Sequence, residues 1–277
     1  VFSVLILTLN EESRLPVCLA SVAACDDIVV LDSGSTDATC AIARAAGARV
    51  HTRRFDDFAG QRNHGDREIV FRHPLVFHLD ADERMTPELF AECARLGARP
   101  PPDLDGWYAA PRMQWKGRWL RRCTDFPAWQ ARLVRPGSFH FIQTGHGQRE
   151  APGMRMGRLS ANYLHEMSDG GVEAWLAKHR RYAAQEAAQA VSEPFALSSL
   201  GWRLFAGPQL ERRRALKQLA SAMPFRPALR LLYQYLLRGG FLDGKGSLEY
   251  CRLLSRYEGF IAEEQHRLAA RRKERAP

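Results

Sequence analysis

The chain has 277 residues, 45% of them hydrophobic, 26% charged and 10% aromatic, which places it among folded globular proteins and excludes a disordered or fibrous chain. Forty Lys and Arg against 31 Asp and Glu leave a formal charge of +9, a surplus that calls for an anionic partner. No run of 18 apolar residues occurs, so the sequence predicts no membrane-spanning helix.

The first element is the apolar run 2–9, which has no basic leader or small-residue cleavage site and so predicts a strand rather than a signal peptide. Leu15, Leu19 and Val22 then recur at helical spacing, with Pro16 tolerated in the first turn. Residues 28–31 form a second strand ending at Asp32. A helix follows, with Ser35 or Thr36 as its cap, Asp37 in its first turn and Gly47 at its end. Residues 48–53 give a third strand, 58–70 a helix, and 75–79 a fourth strand ending at Asp80. Thr86-Pro87-Glu88 supplies a cap, a first-turn proline and an acidic residue for a helix that Gly97 stops. This alternation predicts a parallel sheet with helices on both faces, whose ligands sit beyond the carboxyl ends of the strands.

Pro100-Pro101-Pro102 breaks the rhythm. Residues 106–164 hold short aromatic-rich strand signals at 107–108, 129–134 and 139–142, and helix returns near Gly171, with breaks at Pro194, Pro208, Pro224 and Gly239-Gly240. These changes of signal divide the chain into an alternating strand-and-helix part (1–99), an aromatic-rich part (100–170) and a helical C-terminal region (171–277). Six scattered cysteines (Cys18, Cys25, Cys40, Cys93, Cys123 and Cys251) form no C-x-x-C pair, which predicts reduced thiols in the cytoplasm.

Chemistry gathers at the strand ends. Asp80-Ala81-Asp82-Glu83 closes the fourth strand, and two carboxylates two residues apart can share a hard divalent cation with a diphosphate. Such a pair also occurs as plain solvated loop. Asp32, in Asp32-Ser33-Gly34-Ser35-Thr36-Asp37, can accept hydrogen bonds from a base or ribose, and Asn10-Glu11-Glu12 ends the first strand in the same way. Three polar constellations therefore fall on one sheet edge.

With these motifs and Gln61-Arg62-Asn63 in order, the sequence resembles the family 2 glycosyltransferases, inverting enzymes of the GT-A fold, a Rossmann-like sheet with helices on both faces. Within that family it is most similar to the bacterial lipopolysaccharide core β-1,4-glucosyltransferases and their exopolysaccharide relatives. That likeness adds Trp129-Gln130-Ala131-Arg132-Leu133, the stretch 145–150, Leu164-His165 and Gly240-Phe241-Leu242-Asp243-Gly244.

The resemblance implies a UDP-sugar donor, Mg²⁺ or Mn²⁺ as cofactor, and a lipid-linked glycan acceptor. Asp32 would read uracil or ribose, Arg62 would lie near the base or diphosphate, and Leu9, Asn10, Glu12 and Ala81 would line the nucleotide pocket. Asp80 would face ribose and metal, with Asp82 the principal metal ligand. Leu9 stands where many relatives carry an aromatic residue. The base that deprotonates the acceptor is expected between residues 100 and 170: Glu150 first, then Asp125, with Glu166 or Asp169 as further candidates. Related sequences often read Val-His-Glu near His146, and here Gly147 follows the histidine. His165 either completes the metal site, contacts a phosphate or is structural. Trp107, Trp115, Trp119 and Trp129 either stack on sugar or pack the sheet.

Basic clusters fall in the later part of the chain, at Arg121-Arg122, Arg180-Arg181, Arg212-Arg213-Arg214 and Arg271-Arg272-Lys273. Arg226, Arg230, Gln234 and Arg238 share one helical stripe with apolar residues on the remaining faces, and Trp202, Leu204 and Phe205 look similar. Such a helix suits an anionic membrane surface, at the inner face of the cytoplasmic membrane, or the core of a helical subdomain. No nucleic-acid reader module accompanies the charge. Two other functions compete with sugar transfer. A sugar nucleotidyltransferase would open with a Gly-rich basic loop where this chain has Leu9-Asn10-Glu11-Glu12-Ser13. An inactive nucleotide-sugar-binding or membrane scaffold would keep the fold without turnover.

Overall fold

A computed structural model describes residues 2–144, 147–192, 223 and 225–274. The chain divides into two compact units, one made of residues 1–121 and 125–167, the other of residues 122–124 and 168–277.

The first unit is built on a nine-stranded sheet. Strands β1 (Ser3–Thr8), β2 (Ile28–Asp32), β3 (Arg49–Thr52) and β4 (Val76–Asp80) run parallel in the order β3-β2-β1-β4. Their sequences are nearly continuous apolar runs because both faces are covered. Val4, Ile6, Val30, Phe77 and Leu79 pack on one side; Leu5, Val29, Leu31 and Val76 pack on the other with Ile69.

Beyond β4 the sheet becomes mixed. Its next strands are β5 (Glu83–Met85), β6 (Gly106–Trp115), β7 (Arg118–Trp119), β8 (Gln130–Val134) and β11 (Met156–Glu166), while β9 (Phe141–Thr144) and β10 (Gly147–Glu150) form a separate hairpin. β8 lies antiparallel between β4 and β6, β11 runs parallel to β6, and β5 closes that edge antiparallel to β11. The register of β11 on β6 breaks between Arg158 and Asn162, where the Glu92 carboxylate accepts the Ser160 and Ala161 N–H groups.

Helices α1 (Leu15–Ser21), α2 (Thr39–Ala45), α3 (Phe58–Glu68) and α4 (Pro87–Ala98) connect these strands. Asp57 caps α3 by accepting from the Gly60 N–H at 2.7 Å, and Thr86 caps α4 by accepting from the Leu89 N–H at 3.2 Å. Gly97 lies inside the last turn of α4 rather than stopping it. The predicted start of α2 at Ser35 or Thr36 is corrected: the helix begins at Thr39, and the Asp37 carboxylate accepts the Thr39 N–H. The Ser35 hydroxyl donates to Asp32 and the Thr36 hydroxyl to Asn10, so both side chains are turned into the loop and not onto the helix start.

In the second unit, α5 (Gly171–Ser192) packs on α7 (Ser247–Glu274) through Ala183, Ala187 and Ile261. Between them lie α6 (Arg226–Leu232), a π turn (Tyr233–Leu237) and a 3₁₀ turn (Gly240–Asp243). The predicted break at Gly239-Gly240 falls between the two turns. A Cβ on Gly240 would come within 2.6 Å of the Gln234 carbonyl and 2.8 Å of the Cys123 Cβ. Segment 122–124 is tied into this unit, because Asp243 accepts the Arg122 and Cys123 N–H groups and Arg238 donates to the Arg122 and Thr124 carbonyls. All six cysteines are free thiols. Pro194, Pro208, Pro224, Gly145, His146, Trp202, Leu204, Phe205 and the Arg212 cluster lie outside the described residues.

Candidate active site

The parallel strands bring the three constellations to one edge. Thr8 ends β1, Asp32 ends β2 and Asp80 ends β4, with Thr8 paired to Asp32 and Leu7 to Asp80 in the ladder. The loops after β1 and β2 are laced together. Asn10, at a left-handed φ of 54°, accepts the Thr36 N–H at 2.9 Å, and its own N–H donates to the Ser35 hydroxyl at 2.8 Å. Glu12 accepts the Ala38 N–H at 2.9 Å. Leu9 is exposed.

Asp32 is buried and accepts four internal hydrogen bonds. One oxygen takes the Thr8 and Ser35 hydroxyls, at 2.9 and 2.5 Å, and the other takes the Gly34 and Ser35 N–H groups, at 2.9 and 2.7 Å. Burial works against its charge, but these donors hold the carboxyl below the ordinary range. In this geometry Asp32 braces the loop over the sheet edge, and any nucleotide contact it makes shares an oxygen already in use.

The acidic run is clamped by two buried arginines. Arg62, from α3, donates Nη2 to Asp80 Oδ1 at 2.6 Å. Arg132, in the middle of β8, reaches Glu83 at 2.6 Å, Gln130 at 2.7 Å, the Tyr163 hydroxyl at 3.2 Å and the other Asp80 oxygen at 3.4 Å. Burial disfavours the Asp80 charge, yet the two guanidinium groups hold its carboxyl well below the usual range. For Glu83 burial wins: its carboxyl is pushed up against the pull of Arg132, with the Asp80 charge adding to the rise. The Arg62 Nε and Nη1 are buried with no hydrogen-bond partner among the described residues. Two unanswered donors on a buried cation are costly.

Strand β5 explains the position of His165. It starts directly after Asp82 and pairs with β11, so Glu83 lies directly across from His165. The His165 Nδ1 sits 3.3 Å from Glu83, and its Nε2 sits 3.8 Å from Asp82. Burial opposes its charge, but the carboxylates of Asp82, Glu83 and Asp80 push its pKa up to about 9. Among the described residues no three acidic, His or Cys side chains close on one point tightly enough to cage an ion. The donor set nonetheless fits a hard divalent cation that takes one carboxylate and one imidazole and fills its remaining positions with diphosphate and water. A carboxylate on Nδ1 that turns Nε2 toward the ion is the usual support for a ligating histidine, and ligation requires release of the His165 proton.

The expected bases are dispersed. Glu150, in β10, takes a hydrogen bond from the Tyr108 hydroxyl, whose pKa is raised to about 12 by burial and by that carboxylate. Asp125 is exposed in a loop. Glu166 is buried next to His165 and accepts the Gly117 N–H at 3.0 Å, and its own N–H donates to the Asp82 carbonyl at 3.4 Å. Of the four tryptophans expected either to stack on sugar or to pack the sheet, Trp107 and Trp115 are buried in packing. Trp129 is exposed with Arg158 over its ring, and Trp119 is half-buried beneath Arg112 and Arg121. No local pattern marks Glu83, Gln130 or Tyr163 as partners of Arg132, although an arginine inside the apolar run Ala131-Arg132-Leu133-Val134 is itself a signal.

A parallel half-sheet whose strand β4 ends at Asp80, continued by a mixed half, is the arrangement of the GT-A fold. The model of Glycosyl transferase family 2 matches residues 3–162, and the chain belongs to this family. The lipopolysaccharide core biosynthesis glycosyltransferase LpsC of Rhizobium meliloti (strain 1021) is 35% identical over 115 residues, which are 40% of this chain and 42% of LpsC. A TPR repeat-containing protein of Synechococcus elongatus is 42% identical over 92 residues, 32% of this chain and 22% of that protein. The chain thus spans less than half the length of either curated relative. Among solved structures, the mannosyltransferase PcManGT from Pyrobaculum calidifontis, in complex with GDP-Man and Mn²⁺, shares the fold with a TM-score of 0.52 at 17% identity, covering 95% of this chain and 86% of that one.

Proposed function

We propose that the chain is a metal-dependent, inverting hexosyltransferase. It moves a glucose-type sugar from a UDP-sugar to a lipid-linked bacterial surface glycan, such as lipopolysaccharide core or exopolysaccharide, at the inner face of the cytoplasmic membrane. The observation that carries this reading is the arginine-clamped run from Asp80 to Glu83 with His165 against it. The likeness to LpsC supports the class of acceptor, and the Mn²⁺ in the mannosyltransferase complex supports the cation.

In this reading Asp82 and His165 would hold Mg²⁺ or Mn²⁺, which when bound would offset the charge that develops on the diphosphate leaving group. Arg62 lies near the base or diphosphate and holds Asp80, which, neutralised from both sides, faces the ribose. Leu9, Asn10, Glu12, Asp32 and the Ala81 backbone bound the nucleotide. Glu150, oriented by Tyr108, removes the proton of the acceptor hydroxyl as that oxygen attacks the anomeric carbon, and Asp125 is the alternative base. One displacement inverts the centre.

The test is nucleotide release from UDP-glucose with Mn²⁺ and a lipopolysaccharide-core acceptor. Release is expected to fall at least about a hundredfold in Asp82→Ala. Unchanged turnover in that variant would sink the metal assignment, and pyrophosphate as product would point to nucleotidyl transfer instead.

A further inference from the structure

The stripe Arg226, Arg230, Gln234 and Arg238 is the inner face of its segment. Arg226 pairs with Glu258 of α7 at 2.6 Å and donates to Gln265 at 3.1 Å. Gln234 is buried, and Arg238 is spent on the Arg122 and Thr124 carbonyls. A four-residue repeat drifts by roughly 40° per step on an α-helix of 3.6 residues per turn. The π turn at Tyr233–Leu237 wraps more residues into its turn and takes part of that drift back, which keeps Gln234 and Arg238 in line with Arg226.

Among the described residues the opposite face is apolar and exposed. Phe225, Leu229, Leu232, Leu236 and Leu237 are exposed along it, Phe225 at 82% and Leu237 at 76%, and Phe241 continues the strip. Nine of the 14 exposed large apolar side chains among the described residues fall in residues 223–242, so the exposure is concentrated rather than scattered. A solvated helix has the reverse arrangement, and a contiguous apolar surface of this kind marks a contact.

Charge selects the occupant. Residues 168–277 hold 19 Lys and Arg against 11 Asp and Glu, which is eight of the nine net positive charges of the chain. Exposed Arg122 and Lys245 flank the strip. Apolar surface on a net basic unit, flanked by exposed cations, is what lies in the interface of an anionic bilayer. No helix among the described residues is long and apolar enough to cross one.

We propose that the outward face of residues 225–242 docks on an anionic lipid surface, with its leucines and phenylalanines in the headgroup region. The glycosyltransferase reading gives this docking its purpose, presentation of a lipid-linked acceptor, but the face is argued from the second unit alone.

The test is co-sedimentation of the full chain with phosphatidylcholine vesicles, with and without phosphatidylglycerol. Vesicles carrying neither donor nor glycan keep the result independent of sugar transfer. The chain is expected to bind the anionic vesicles at least about tenfold more tightly than the neutral ones. The variant Leu236→Glu/Leu237→Glu, altered only at exposed positions, is expected to lose that binding while keeping the wild-type melting temperature and UDP-induced thermal shift. A wild-type chain that stays in the supernatant would overturn the proposal, as would equal binding by the variant. So would a wild-type dimer that the variant turns into a monomer, since a second copy would then be the occupant.

Discussion

An arginine in the middle of Ala131-Arg132-Leu133-Val134 has to be answered by acceptors in the same buried layer, and Arg132 is answered by Glu83, Asp80, Gln130 and Tyr163 together. Asp80 and Asp82 were legible in the sequence because two carboxylates at a strand end declare themselves. Their clamp was not, because it joins β4, β5, β8 and β11, and pairing across such separations has no local pattern. Removing the cation would leave Glu83 as a poorly compensated buried carboxylate and Asp80 with Arg62 alone, and breaking a buried ion pair from one side costs about 3–5 kcal/mol. Arg132→Met is therefore expected to lower the unfolding free energy by that amount in urea. Arg132→Lys keeps the charge but not the planar fork, and should recover only part of the loss. Equal stability of all three chains would mean that the clamp contributes nothing to the fold.

Among the elements, β1 to β4 and α4 follow their sequence signals closely, because apolar runs, a Thr-Pro-Glu start and strand-end aspartates are local features. β5 was illegible: three residues including Glu83 and Arg84 form a strand only because β11 lies alongside. In the C-terminal helix the four-residue period of the arginines was visible, but periodicity shows which residues share a face and not which face turns inward. At the opposite end of the sheet from the candidate site, Asp27 acts as a staple. It accepts the Ser3 hydroxyl at 2.6 Å, the Arg72 N–H at 2.8 Å and Arg49 Nη2 at 2.8 Å, which fastens the starts of β1 and β3 and the chain entering β4. Burial opposes its charge, but these donors hold the carboxyl below the ordinary range. Between the native and unfolded pKa values the unfolded chain binds the extra proton. The contribution is thus complete above an unfolded value of about 3.9 and is lost as pH falls toward the native one. Asp27→Asn is expected to cost about 1–3 kcal/mol in urea near neutrality. The gap to wild type should narrow at about pH 3; a gap constant over that range would rule out an ionised staple.

At the scale of the whole chain, the predicted boundaries at 99 and 170 follow composition, and composition cannot reveal that residues 122–124 belong with the helical unit. That excursion depends on Asp243, Arg238 and the bare Gly240, all more than a hundred residues later in sequence. It also determines the chemistry of Cys123, which is fully buried; its hydrogen bond with Cys251 and its burial push the thiol well above the ordinary range, so it is an inert thiol. Residues 1–167 contain the sheet's own apolar clusters, built from Phe2 through Tyr163, and a chain ending at Met167 should still unfold cooperatively. In that chain the N–H groups of Arg122 and Cys123 lose Asp243, and nothing from the second unit covers the Cys123 sulfur. Peptide mapping after labelling with a thiol-reactive probe should find Cys123 protected in the full chain and modified in the shortened one, while Cys18 and Cys93, buried in the first unit, stay protected in both. Labelling of Cys18 and Cys93 in the shortened chain would show instead that the sheet does not hold its core without the helical unit.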